Sequence, residues 1–176
     1  MKQNILIVGY NYELSKRIAE KLAIPFSMRV FDQLELFAFD HMPRSFGDVC
    51  KANGPEYIKK KLKSILKMEL GFEDTIFVAD LVMADDCSDL FHKIKLSNFV
   101  VFIHKKTEIE LEELKKKKYP SQEETEFFAY NENVLKTREE VIKKDCADIS
   151  VDIENLSEDE IIEKIITGIE NFYKVG

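Results

Sequence analysis

Two adjacent cations follow a glycine that ends an apolar run near the start of the chain. The run is Ile5–Val8, Gly9 ends it, and Lys16 and Arg17 lie in the helix-like segment that comes next. In nucleotide-binding proteins a strand, a turn and a helix in this order hold phosphate, because the free N–H groups and the dipole at the helix N-terminus attract anions. We therefore nominate Gly9, Ser15, Lys16 and Arg17 as phosphate- or nucleotide-binding residues.

The spacing departs from that of a standard phosphate-binding loop. Such a loop needs a second glycine, a lysine for the β- and γ-phosphates, and then a Ser or Thr hydroxyl for magnesium. Counted without a gap, these three positions hold Leu14, Ser15 and Lys16. A slip of one residue makes Lys16 the phosphate lysine and puts Arg17 at the hydroxyl position. Three interpretations stay open: an altered phosphate loop, an ordinary strand-to-helix turn, or a turn whose two cations still hold an anion.

Apolar runs alternate with amphipathic stretches along the rest of the chain. The runs 75–79 and 98–103 are continuous, as in strands that are buried on both faces, and a helix-like pattern follows each one. A last short strand is predicted at 149–152. Ser157 and Glu160 then have the spacing of a capping box before an amphipathic helix. This alternation predicts an α/β domain with a mostly parallel sheet.

Bulk properties predict a single cytoplasmic domain over residues 1–176. The net charge of -7 argues against nucleic-acid and anionic-membrane partners. Cys50, Cys87 and Cys146 are odd in number and far apart, which predicts no disulfide framework and a reducing compartment. The apolar run after Met1 is too short for a signal peptide or a membrane span. The histidines are scattered, so no metal site is predicted from them.

Four stretches of sequence resemble the shikimate kinase family of small P-loop kinases, in an order that covers nearly the whole chain. They are NILIVGY with RIAEKLAIPF, SFGDVCKANGPEYIKKKLKSIL, NFVVFIHKKTEIELEELKKK, and ADISVDIENLSEDEIIEKI. The resemblance implies a P-loop kinase-like α/β fold, with three α/β/α layers and a mostly parallel five-stranded sheet. It also implies a helical substrate-binding segment at about 32–70 and a lid-like segment at about 115–126. Within the first of these, breaks in the helical pattern are predicted at Pro43, Gly47 and Gly54-Pro55. An active member would use ATP and Mg²⁺.

The acidic pair that the family carries after its second strand has no direct counterpart. Counting forward from the first helix places Met28 and Val30 there, and counting backward from the substrate-binding helices places Gln33 and Glu35. Asp32 and Glu35 are the only plausible carboxylates of the segment, so they are the candidate catalytic residues. The alternative is that both lie on the surface of a helix.

Three further residues are nominated for substrate binding through the resemblance. Lys59 stands where the family grips a substrate carboxylate with arginine, Asp80 stands in the family's triple-glycine turn, and Arg138 lies one residue away from a second arginine position. A solvated helix face and a helix N-cap are the alternatives for Lys59 and Asp80. The lid arginine is replaced by Tyr119, which leaves only the lysines of 115–118 to face a phosphate.

Together these departures predict a protein that is impaired in ATP-dependent phosphoryl transfer and binds a small anionic metabolite, a nucleotide or a protein partner. The first alternative is an active ATP-dependent kinase of shikimate or another small hydroxylated metabolite, with Lys16 as the phosphate lysine. The second is an assembly subunit, or homodimer, that associates through the aromatic stretch 31–42.

Overall fold

The computed structural model describes residues 4–9, 11–80, 88–126 and 146–175. The strands are β1 (Asn4–Gly9), β2 (Arg29–Asp32), β3 (Thr75–Asp80), β4 (Asn98–His104) and β5 (Ile149–Asp152). The helices are α1 (Tyr12–Phe26), α2 (Gln33–His41), α3 (Phe46–Met68), α4 (Ser88–Lys95), α5 (Thr107–Lys116) and α6 (Glu158–Val175), and a short 3-10 helix (Glu69–Gly71) follows α3. No helix within these ranges is long and apolar enough to cross a membrane.

The five strands form one parallel sheet in the order β2-β3-β1-β4-β5. At the carboxyl end of the central strand, Gly9 pairs with Asp80 of β3 and with Ile103 of β4. Asp32 ends β2 at the same edge, where it pairs with Val78. The predicted five-stranded parallel sheet is confirmed, and the nominated residues that end strands lie at its carboxyl edge, where open α/β sheets bind ligands.

Helices cover both faces of the sheet, which confirms the three-layer architecture. On one face α1 and α6 bury aliphatic side chains such as Ile18 and Ile165 against the strands. On the other face α2, α3 and α4 bury the apolar side chains of Phe37, Leu62 and Ile94. Each fully buried side chain of this size stabilises the folded state by about 1.5–3 kcal/mol. This two-sided core holds the carboxyl edge in place.

The helical segment after β2 breaks at two of the three predicted points. The chain leaves α2 before Pro43, and Gly54 kinks α3 with a φ of 76°, a conformation open to glycine. The predicted break at Gly47 is wrong, because this residue lies in the first turn of α3. A Cβ atom there would be 2.7 Å from Ser121 Oγ and 2.8 Å from Glu124 Oε1, so Gly47 serves close packing rather than a break.

Candidate functional site

The turn between β1 and α1 is a capped helix start. The Asn11 side-chain Oδ1 accepts a hydrogen bond from the Leu14 N–H at 3.1 Å. The Asn11 backbone carbonyl oxygen accepts one from the Ser15 N–H at 2.9 Å. A phosphate-binding loop would instead present such N–H groups to the ligand. Because α1 already begins at Tyr12, these donors are satisfied inside the helix.

Gly9 and Ser15 pack against each other and against β4. A Cβ atom on Gly9 would lie 2.8 Å from the Ile103 carbonyl oxygen and 3.2 Å from Ser15 Oγ. Ser15 is fully buried, and its hydroxyl has no hydrogen-bond partner in the described part of the chain. The structure therefore places both residues in the packed junction of β1, β4 and α1.

Lys16 lies against the two nominated carboxylates. Its Nζ hydrogen-bonds Glu35 Oε1 and lies 3.8 Å from Asp32 Oδ2. Asp32 caps α2, because its Oδ1 accepts a hydrogen bond from the Glu35 N–H at 2.9 Å. The end of β2, the first turn of α2 and the start of α1 thus bring these three residues together.

Burial dominates the electrostatics of Asp32, which is 3% exposed. Burial raises the pKa of its carboxyl to about 6, although the hydrogen bond from the Glu35 N–H acts in the opposite direction. The Lys16 ammonium, at 3.8 Å, is too distant for a hydrogen bond to Asp32 and does not cancel the cost of burial. The hydrogen bond to Glu35 raises the pKa of Lys16, so its ammonium is charged at neutral pH.

Arg17 has a different set of partners. Its guanidinium lies 2.7 Å from Glu158 at the start of α6, and Lys21 one turn later lies 3.2 Å from both Glu158 and Asp159. These ion pairs tie α1 to α6. Arg17 therefore does not join Lys16 at the carboxylates of β2 and α2.

A cleft of 380 Å³ opens where the first turn of α1 meets the segments after β4 and β5. Its charged lining residues are Glu13, Lys105, Glu110, Glu113, Lys116 and Lys117. Lys105 Nζ lies 2.6 Å from Glu113, Lys116 Nζ lies 4.0 Å from Glu112, and the Lys117 ammonium lies 5.9 Å from the Tyr119 ring centroid. The cleft can offer positive charge to an anion from two exposed lysines at the carboxyl end of α5, Lys116 and Lys117.

Lys59 lies on a second cleft, of 410 Å³, between α3 and residues 121–126. The side chain of Lys59 is only 11% exposed, and its Nζ lies 3.2 Å from Glu56. Glu123 and Glu126 line the same cleft. Lys59 thus lies among carboxylates rather than on a solvated helix face, and it does not line the cleft that Lys105 lines.

Of the two remaining candidate residues, only Asp80 lies among the described residues. Asp80 ends β3 at the carboxyl edge of the sheet. Arg138 lies outside the described residues.

The lid-like segment is exposed at Lys117 and Lys118, whereas Glu124 is buried against α3.

Sequence reasoning missed three residues that shape this edge: Asn11, Tyr12 and Lys105. Asn11 carried a signal, because asparagine is a preferred N-cap residue. The Tyr12 hydroxyl and the Lys105 ammonium carried none, since their partners, Leu34 and Glu113, are identified only by the fold.

Magnesium fits the residues of this site poorly. Across 4–9, 11–80, 88–126 and 146–175, no group of three or more His, Cys, Asp or Glu side chains is arranged to hold a metal ion. Asp32 and Glu35 supply two carboxylates, but the Lys16 ammonium is paired with Glu35 and lies 3.8 Å from Asp32. Mg²⁺ requires near-octahedral oxygen ligands at about 2.1 Å, a position that an ammonium and a divalent ion do not share.

Solved structures with the same fold are shikimate kinases and related proteins. Shikimate kinase from Aquifex aeolicus vf5 superposes with a TM-score of 0.73 at 18% identity, over 98% of this chain and 99% of that one. Shikimate kinase from Acinetobacter baumannii in complex with shikimate gives 0.73 at 12% identity, over 96% and 93%. YorR protein from Bacillus subtilis in complex with phosphorylated GDP gives 0.59 at 17% identity, over 97% and 98%.

No protein-family model matches the sequence, and neither does any curated protein. At the identities of the solved structures the likeness shows the fold alone, and it confirms the predicted resemblance to shikimate kinases at that level.

Proposed function

We propose that this protein binds a small anionic metabolite or a nucleotide at the carboxyl edge of its sheet and does not transfer a phosphoryl group from ATP. The observation that carries the proposal is the bonding of the Leu14 and Ser15 N–H groups to Asn11. The kinase-like fold supports a ligand site at this edge. We also propose, from the scattered cysteines, that the protein acts in the cytoplasm.

The chemistry of phosphoryl transfer supports the proposal that this protein does not transfer a phosphoryl group from ATP. Catalysis of this reaction depends mostly on positioning and on neutralising the charge of the transferring group. Here the donors at the start of α1 are bonded, the Ser15 hydroxyl is buried, and Lys16 is paired with Glu35. A triphosphate would have to displace Asn11 from these donors and Glu35 from Lys16.

The cleft beside α1 supports the positive part. Lys116 and Lys117 are exposed at its rim, and α1 directs its positive dipole end toward the same region. Shikimate and phosphorylated GDP, the ligands in two of the neighbouring structures, are small and carry anionic groups. A ligand of that class matches the charge of these two lysines, and its anionic group would have to avoid Glu13, Glu110 and Glu113, which line the same cleft.

Thermal unfolding with Mg²⁺-ATP, ADP and shikimate, singly and in combination, tests the proposal. A ligand at about 100 times its Kd should stabilise the native state by roughly 2.7 kcal/mol, which is several degrees for a domain of this size. Replacing both Lys116 and Lys117 with Ala should remove the shift, and Lys118→Ala should keep it. An equal loss in Lys118→Ala would contradict this placement of the ligand.

An active ATP- and Mg²⁺-dependent kinase is the second candidate, since Lys16, Asp32 and Glu35 converge. A coupled assay that detects turnover of shikimate or another hydroxylated metabolite would favour it, provided that Lys16→Ala abolishes the turnover. Turnover that survives Lys16→Ala would rule out Lys16 as the phosphate lysine. The absence of turnover together with a ligand-induced shift supports the first proposal.

A protein partner or a homodimer is proposed for the aromatic stretch 31–42. Phe39 in α2 and Met42 directly after it are 75% and 71% exposed, whereas Phe37 in α2 is buried. Light scattering of the wild type and of Phe39→Asp tests this role. A monomer in both samples, with no partner retained in pull-downs, would count against it.

A further inference from the structure

We propose that the Lys16 ammonium is a built-in cation that takes the place of a divalent metal ion at the Asp32 and Glu35 carboxylates. The inference concerns these three side chains and does not depend on which ligand the neighbouring cleft binds. It predicts a site that works without a metal ion and acquires an affinity for one when Lys16 is removed.

The buried carboxylate of Asp32 requires a positive charge. Its Oδ1 is used to cap α2, and its Oδ2 is buried with no hydrogen-bond partner among the described residues. A buried carboxylate oxygen without a hydrogen bond is costly unless a cation compensates for it. Lys16 Nζ, 3.8 Å away, places a positive charge beside this oxygen and offsets part of that cost.

Glu35 holds the cation in place. Its Oε1 is hydrogen-bonded to Lys16 Nζ, and its backbone N–H is bonded to Asp32. The single ammonium thus lies beside two carboxyl groups. A divalent ion would have to enter beside an ammonium that is bonded to Glu35 and lies 3.8 Å from Asp32, against direct charge repulsion.

The position of Lys16 in the sequence agrees with this role. In the ungapped count from Gly9 it stands where a phosphate-binding loop has the hydroxyl that holds magnesium. Since α1 begins at Tyr12 and runs without a break past this point, no slip of the loop moves Lys16 to the phosphate position. Lysine therefore replaces both the hydroxyl and the metal ion.

Lys16→Met tests the proposal, because methionine keeps the apolar stem and removes the charge. Lys21→Met is the matched control, since it removes the same charge from α1 at the ion pairs with α6. Mn²⁺ binding is followed by the loss of the free-ion EPR signal, and Mg²⁺ and Mn²⁺ are added in thermal unfolding. We expect at least about tenfold tighter Mn²⁺ binding by Lys16→Met than by the wild type or Lys21→Met.

The gain in Mn²⁺ affinity of Lys16→Met should disappear when Glu35→Gln is added to the same variant. Wild-type protein that binds Mn²⁺ and loses it in Glu35→Gln would overturn the proposal, because the carboxylates would then hold a metal ion beside the lysine. A folded Lys16→Met variant with no gain would overturn it as well. If Lys16→Met does not fold, Lys16→Gln replaces it, and the same Mn²⁺ affinities are expected. The comparison of Mn²⁺ binding by the wild type and by Glu35→Gln needs no lysine variant and tests the proposal separately.

Discussion

The Tyr12 hydroxyl accepts a hydrogen bond from the Leu34 backbone N–H at 3.2 Å. Tyr12 lies in the first turn of α1 and Leu34 in the first turn of α2, so the bond links the two helix starts that carry Lys16 and Glu35. Tyr12 is also buried in the core on the α1 face of the sheet. The relative position of the lysine and its carboxylates thus depends on this tyrosine.

Tyr12→Phe should lower the free energy of unfolding by about 1 kcal/mol, because a partly buried N–H loses its partner. Urea denaturation measures the change. Tyr57→Phe is the control, since the Tyr57 hydroxyl contacts His41 Nε2 at 3.0 Å on an exposed face where water can replace it. Equal decreases in the free energy of unfolding in the two variants would show that the bond to Leu34 stabilises the protein no more than the exposed contact of Tyr57 does.

Asn11→Ala should destabilise the protein by about 0.5–2 kcal/mol, through the loss of the N-cap of α1. Asn11→Asp keeps an oxygen acceptor for the Leu14 N–H and adds a favourable charge at the helix N-terminus. Thermal unfolding followed by circular dichroism compares the two variants. A loss in Asn11→Asp as large as that in Asn11→Ala would contradict the capping role.

Gly9→Ala should cost about 1–3 kcal/mol, because the new methyl group would meet the Ile103 carbonyl oxygen at 2.8 Å and backbone must shift. Gly71→Ala is the matched control, since a Cβ atom there meets nothing within 4 Å. Chemical denaturation of both variants measures the difference. Similar stabilities would indicate that β1 and β4 separate at this point without strain.

Glu69 predicts a specific pH dependence of stability. It is fully buried at the amino edge of the sheet, and burial raises the pKa of its carboxyl from 4.5 to about 7 against an opposing hydrogen bond from Asn98. Between these values the folded protein keeps a proton that the unfolded chain releases. The free energy of unfolding should therefore fall as pH rises through this window, by about 3 kcal/mol in total, and level off above it.

Glu69→Gln removes this contribution. The difference in unfolding free energy between the variant and the wild type should grow in favour of the variant from pH 4.5 to pH 7. Urea denaturation across that range measures it, and the comparison cancels the contribution of Asp32, which changes in the same direction. Glu108→Gln alters an exposed carboxylate and should keep the wild-type profile. A constant difference across the range would refute the buried titration.

The central strands and the edge strand β5 could be predicted from sequence, whereas the other edge strand, β2, could not. β1 and β4 are buried along their whole length, so their side chains form uninterrupted apolar runs. β2 has four residues at the sheet edge, and only its last residue, Asp32, is buried. Its pattern was too weak to fix the register of the following segment. Two assignments of the acidic pair therefore competed, Met28 with Val30 and Gln33 with Glu35.

The types of the site residues were predictable, whereas their contacts were not. Lys16, Asp32 and Glu35 were nominated by their chemistry, but their meeting depends on where β2 ends and α2 begins. Gly47 was misjudged for a similar reason, because its packing partners, Ser121 and Glu124, lie far away in the sequence. Local patterns contain no information on such long-range approaches.

The capped turn has a consequence for protein engineering. Exchanging Leu14, Ser15 and Lys16 for glycine, lysine and serine would restore the consensus sequence of a phosphate-binding loop without restoring its shape. Asn11 would still bond to the backbone at these positions, and the bond from Leu34 to Tyr12 would still anchor the first turn of α1. A design that aims at nucleotide chemistry in this scaffold has to unwind one helical turn before any catalytic side chain is added.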